Sequence, residues 1–185
     1  SDTEVCVNMG KPILEPEKIP CKAETNLNIP YSLDNNTFIL NIVSMGNPHC
    51  IIFVEKGSKD LALRYGSTLE NDPLFPEKTN VEFVEILSRD EVAINVWERG
   101  CGITLACGTG ACATTVAGIL NGYLNSTVKA NLPGGSLKIA WQGSLEDTNH
   151  DVYMTGRADY SFVGEVFIST TLALFPLPLE FFQKY

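Results

Sequence analysis

Apolar residues recur at every second position in several stretches of the chain, and this period marks strands. Residues 1 to 12 read as a strand in which Val5, Val7 and Met9 alternate with Glu4, Cys6 and Asn8, stopped by Gly10 and Pro12. The segment 13 to 36 is a connection rich in Pro, Lys, Glu and Asn, with one short strand near Ala23 to Ile29 and a turn at Asp34-Asn35-Asn36. Strands are predicted for Phe38 to Ser44 and Ile51 to Val54, and for Val81 to Leu87 with Val81, Phe83 and Glu85 on one face. A turn at Ser88-Arg89-Asp90 leads into Val92 to Trp97, and further strands cover Thr127 to Leu132, Ser136 to Gln142, Val152 to Thr155 and Tyr160 to Phe167.

Two stretches read as helices: Asp60 to Leu69, ended by Pro73 and Pro76, and Thr109 to Leu124. The second carries Gly110, Ala111, Ala113, Ala117 and Gly118 in its first turns, so neighbours pack closely around it. Many short strands with one central small-residue helix predict an α+β fold, an antiparallel sheet curled around that helix.

The chemistry gathers just before this helix, in Trp97-Glu98-Arg99-Gly100-Cys101-Gly102-Ile103-Thr104-Leu105-Ala106-Cys107-Gly108-Thr109-Gly110-Ala111-Cys112. A thiol at a helix start faces unpaired N–H groups and the positive end of the macrodipole, which favour thiolate. The same N–H groups, at Gly108 and Thr109, offer a cradle to a carboxylate. Cys101 and Cys112 read as buried small hydrophobes. Zinc is not expected, because the cysteines 101, 107 and 112 lie six and five positions apart, unlike finger or ribbon spacing. Glu98 and Arg99 are a surface ion pair by default, or else an ammonium acceptor and a carboxylate fork. Asn47 is a turn residue or a substrate-binding amide, Asn80 a strand-start residue, and His49 a core histidine or a modulator of a nearby thiol. His150 lies in a polar loop and is expected to be exposed.

The cysteine stretch resembles the diaminopimelate epimerase family, as do Val7-Asn8-Met9-Gly10-Lys11-Pro12, Met45-Gly46-Asn47-Pro48-His49-Cys50, Thr79-Asn80-Val81-Glu82-Phe83-Val84, Leu132-Pro133-Gly134-Gly135-Ser136-Leu137, Ile139-Ala140-Trp141 and Val152-Tyr153-Met154-Thr155-Gly156. The blocks run in family order from Val7 to Gly156. The resemblance implies two domains, each a strongly curved sheet wrapped on a helix, with the active site between them. It implies cofactor-independent interconversion of LL- and meso-diaminopimelate in lysine biosynthesis by two cysteines on opposite faces of the α-carbon. Carried onto this chain, Cys107 is the catalytic cysteine. Asn47, Asn80, Glu98, Arg99, Gly108 and Thr109 bind substrate, and His49 and Glu98 modulate the thiol. On this reading residues 1–12 end a first domain that carries the other cysteine and is absent here. Residues 13–156 are the C-terminal domain, 157–168 the last strands returning to the first domain, and 169–185 an apolar tail unlike the family's. The chain alone is then expected to be inactive or nearly so. A related amino-acid racemase of the same fold and a non-catalytic ligand-binding fragment stay open as alternatives.

Composition narrows the partners. A net charge of −9 argues against nucleic acid, and no stretch is long and apolar enough to span a bilayer. Six irregularly spaced cysteines fit a reducing compartment, a bacterial cytoplasm or a plastid stroma, better than a disulfide scaffold. A small-molecule substrate is the expected partner, with a homodimer compatible.

Overall fold

Helices and strands alternate in the middle of the chain, and this decides the sheet's topology. The computed structural model describes residues 4–159 and Gly164. In order they form β1 (Glu4–Asn8), β2 (Ile29–Leu33), β3 (Asn36–Ser44), β4 (Pro48–Val54), α1 (Ser58–Glu70), β5 (Asn80–Ser88), β6 (Glu91–Glu98), β7 (Gly102–Ile103), α2 (Gly108–Leu120), β8 (Thr127–Leu132), β9 (Gly135–Ala140) and β10 (Tyr153–Arg157). One sheet holds all the strands in the order β1-β10-β9-β8-β6-β5-β4-β3-β2, with β7 paired to β6.

The α+β class expected from the pattern holds, but the sheet is mixed rather than wholly antiparallel. β4 pairs with β5 in parallel, and β6 with β8. Each parallel pair is joined by a crossover that contains a helix, α1 in the first and α2 in the second. A parallel neighbour needs such a long return, whereas a short turn can serve only an antiparallel one.

The two helices belong to two cores, divided along the strands by side-chain alternation. Val43, Ile51, Val84, Val92, Ile94 and Val96 pack in one cluster with Ala111, Cys112, Val116 and Ala117 of α2. Leu40, Ile42, Cys50, Ile52, Val81 and Phe83 pack in the other with Ala62, Tyr65 and Leu69 of α1. The sequence expectation of a sheet curled around one helix therefore covers only one side. Covered on both faces, β3 to β5 read as near-continuous apolar runs, and Asn80–Val84 is buried at all five positions.

Several local expectations are corrected. The strand expected near 23–29 lies later, at Ile29–Leu33. The helix expected to reach Leu124 stops at Leu120, because Asn121 caps it and Gly122 takes the left-handed conformation (φ +71°) that ends a helix. Cys112 is buried as expected, but Cys101 is exposed, sitting on the turn after β6 rather than beneath it. His150 is half-exposed and pairs with Asp147. The expected strand 160–167, Gly164 aside, and the apolar tail 169–185 lie outside the described residues. No helix among the described residues is long and apolar enough to cross a membrane.

Candidate functional site

Cys107 is the N-cap residue of α2, in extended conformation (φ −140°, ψ 104°). Its carbonyl accepts the Ala111 N–H at 3.0 Å, the first bond of the helix. Its side chain is left to face the N–H groups of the first turn, which have no intrahelical acceptor. Thr109 Oγ1 lies 3.6 Å from the sulfur, and the sulfur itself makes no capping bond to the first-turn N–H groups.

From Thr109 a polar chain runs back across the sheet. Asn47 Nδ2 donates to Thr109 Oγ1 at 3.3 Å, and Asn47 Oδ1 meets His49 Nε2 at 3.1 Å. His49 Nδ1 in turn pairs with Glu82 Oε1 at 2.6 Å. The chain closes on itself, since a nitrogen of His49, a carboxylate oxygen of Glu82 and Cys107 Sγ all lie within 4.8 Å of one another. His49 and Glu82 are fully buried, and Cys107 is 7% exposed. Four elements thus meet: the turn into β4 brings Asn47, β4 brings His49, β5 brings Glu82, and the start of α2 brings Cys107 and Thr109.

Glu82 is the residue that sequence reasoning missed. The alternation Val81, Phe83 places Glu82 on the opposite face, which a one-sided sheet would leave to solvent. Here α2 covers that face. Gly110 is what allows the approach, because a Cβ there would stand 2.6 Å from Glu82 Oε1 and 3.2 Å from Cys107 Sγ. The signal available in the sequence was a carboxylate set inside an apolar run, together with a glycine in the first turn of the helix.

The electrostatics differ from the local expectation. Burial pushes the Cys107 thiol up, and the nearby Glu82 charge pushes it further, to about 11, against the opposing pull of the adjacent Thr109 hydroxyl and Gly110 N–H. The helix start alone had argued for a lowered value. Burial likewise raises the Glu82 carboxyl, although His49 opposes it. Glu82 Oε2 is buried without a hydrogen-bond partner among the described residues.

Asn80, Glu98 and Arg99 form a second group beside the first, linked through the register pair His49–Asn80. Asn80 is buried, and its amide is committed: Nδ2 donates to Pro48 O at 2.9 Å, and Oδ1 accepts the Arg99 N–H at 2.9 Å. Glu98 and Arg99 do not pair with each other. The Glu98 carboxylate accepts the Thr104 hydroxyl in a short hydrogen bond. The exposed Arg99 guanidinium donates to Glu77 O at 3.1 Å. Gly108 and Thr109 are half-buried, as Asn47 and Glu98 are.

His49, Glu82 and Cys107 are also the donor set among the described residues that a metal ion would find. It differs from the cysteine trio weighed in the sequence, which splits between an exposed turn and a helix. Its nitrogen and carboxylate oxygen are already paired with each other at 2.6 Å. The arrangement suits proton handling at sulfur: a thiol in contact with a hydroxyl, with a buried acid and an imidazole beside it.

The family model described as diaminopimelate epimerase matches residues 41–161. Diaminopimelate epimerase from Halothermothrix orenii is 50% identical over 166 residues, 88% of this chain and 56% of that protein. The one from Carboxydothermus hydrogenoformans is 51% identical over 165 residues, 89% and 58% of the respective chains. The chain therefore spans somewhat over half the length of these curated relatives. Among solved structures, a hydroxyproline epimerase from Agrobacterium vitis superposes with TM-score 0.62 at 14% identity, covering 84% of this chain and 50% of that one. A probable proline racemase from Agrobacterium radiobacter superposes with TM-score 0.63 at 13% identity, covering 92% and 55%. At these identities the structures show a shared fold.

Proposed function

The chain belongs to the diaminopimelate epimerase family, and from that premise we propose that it supplies one half of an epimerase interconverting LL- and meso-2,6-diaminopimelate. The observation that carries the proposal is Cys107 at the start of α2, its sulfur 3.6 Å from the Thr109 hydroxyl and beside the buried His49–Glu82 pair.

Inverting a carbon needs one group to remove the α-proton on one face and another to return a proton on the other. Cys107 serves one face. Its raised value keeps it a thiol at neutral pH, the form that gives a proton. The same sulfur takes the proton in the reverse direction, when it reacts as thiolate. The second thiol belongs to the length of the relatives that this chain does not span. No cofactor takes part in this reading: the carbanion is stabilised by positioned donors, whose transition-state hydrogen bonds are worth several kcal/mol in a dry site. The Gly108 and Thr109 N–H groups hold the α-carboxylate at the helix start. Asn47 reaches substrate from the turn before β4. Glu98 and Arg99, an acceptor and a planar fork, read the distal ammonium and carboxylate. Asn80 contributes by fixing the Arg99 backbone. Such a reaction belongs to lysine biosynthesis, and its free thiol calls for a reducing compartment, a bacterial cytoplasm or a plastid stroma.

The test is solvent-deuterium incorporation at the α-carbon of LL-diaminopimelate, with Cys107→Ala as control. Exchange that is lost in the variant supports the reading. Exchange that persists in Cys107→Ala overturns it. Should the chain alone show no exchange, a supplied N-terminal half from a relative must restore it, and failure to restore it counts against the assignment.

A further inference from the structure

The polar chain at Cys107 has a direction. Asn47 gives its NH₂ to Thr109 and its carbonyl oxygen to His49, so His49 Nε2 is a donor. Thr109 Oγ1 accepts from Asn47 and lies 3.6 Å from Cys107 Sγ, where either hydroxyl or thiol can donate. The donors from His49 through Asn47 to Thr109 thus run toward the end of the chain that holds Sγ. At the other end, with Nε2 protonated, a single proton lies between His49 Nδ1 and Glu82 Oε1, 2.6 Å apart. Beyond it is Glu82 Oε2, buried and without a partner. The carboxylate also faces the sulfur directly, across the gap that Gly110 keeps open.

Two negative charges this close in a buried cluster cannot both be tolerated, so one of the two groups keeps a proton. We propose that Glu82 is a positioning residue for the proton on Cys107: carboxylate and sulfur hold a single negative charge between them, so Glu82 is protonated when the thiolate forms and ionised when the thiol is held. The step balances without any further reagent. The S–H bond breaks with its electron pair left on sulfur, and an O–H bond forms on the carboxylate. Glu82 thereby serves as the internal store for the proton that Cys107 must lose before it can act as a base. The other titratable groups that reach this pair are His49 on β4, Glu98 at the end of β6, Cys112 on α2, and Cys50 on the far face of β4.

The inference rests on reading Cys107 as the reacting thiol, and its test does not need turnover. Iodoacetamide alkylation of Cys107 in the full chain is followed by peptide mass spectrometry from pH 6 to pH 12, which separates it from the exposed Cys6 and Cys101. In Glu82→Gln the midpoint should fall by about one pH unit or more, giving roughly tenfold faster alkylation at pH 8. Glu98→Gln should move it less. A Glu82→Gln midpoint that stays at the wild-type value overturns the proposal. A wild-type measurement stands independently of any folding defect in the variant. The ¹³C shift of the Glu82 carboxyl should inflect at the pH where Cys107 ionises, and Cys107→Ala should remove that inflection. A Glu82 signal indifferent to Cys107 overturns the proposal as well. Loss of the epimerase reading in the deuterium experiment would leave both results standing.

Discussion

Replacing Asn80 by alanine separates two roles that one residue is asked to fill. In the structure its amide is spent inside the protein, on Pro48 O and the Arg99 N–H, each at 2.9 Å. Asn80→Ala strips both partners. The Pro48 carbonyl lies in a buried residue and would lose the Asn80 donor, which costs about 1–3 kcal/mol. The Arg99 N–H lies at an exposed turn, where water can replace the amide, so its loss costs only about 0.5–1 kcal/mol. The small void adds the remainder, and the total is about 2–4 kcal/mol. For a chain of this size that lowers Tm by roughly 5–12 °C. Urea unfolding followed by circular dichroism would measure the loss, and the m-value should not change. A loss below about 0.5 kcal/mol, the range of an inconsequential surface change, would refute the structural account. Coupled with a large drop in substrate affinity, that result would make Asn80 a direct ligand contact.

Two further substitutions test how the site is held. Gly110→Ala should destabilise by about 1 kcal/mol, because overpacking against Glu82 Oε1 and Cys107 Sγ outweighs the gain in helix propensity; a stabilised variant in urea would show that Glu82 is free to move aside. Glu70 accepts the Trp97 Nε1–H and the Gly100 N–H, both at 2.8 Å. Burial works against its charge, but these bonds, with Lys78 and Arg99 nearby, hold the carboxyl below its ordinary value of 4.5. A lowered folded value means the stabilisation is full above 4.5 and is lost as pH falls through the folded value. Wild type should therefore exceed Glu70→Gln by about 1–2 kcal/mol at pH 7, and the gap should close as the pH drops toward 3 in paired urea titrations.

The sequence revealed most where chemistry is local. Cys107, Gly108 and Thr109 are neighbours at a helix start, and both the glycines and the small-residue helix mark that start. Asn47 and His49 came through their motif block, and the structure brings them to the same sulfur. Strand periodicity located β3, β5, β6 and β8 well, because alternation is a property of each strand alone. It carries no information about direction, so the parallel pairs β4–β5 and β6–β8 went unseen; the only hint was the helix between their members. Glu82 stayed hidden for a related reason. Its significance depends on α2 lying over that face of β5, which is a tertiary fact. The wrong sign for the thiol has the same origin: the helix terminus is legible locally, whereas burial and a carboxylate from another strand are not.

The edge pairing of β1 with β10 brings Glu4 opposite Arg157 and Asn8 opposite Tyr153. Positions separated by most of the described chain are thus direct cross-strand neighbours, with Cα atoms on the order of 5 Å apart. A linker of a few residues would join them into a ring without disturbing the sheet. New ends cut at the exposed Asp34–Asn35 turn would then yield a circular permutant with the same order of strands in space. Entry to β1 and exit from β10 therefore lie side by side at one end of the pair, Glu4 beside Arg157.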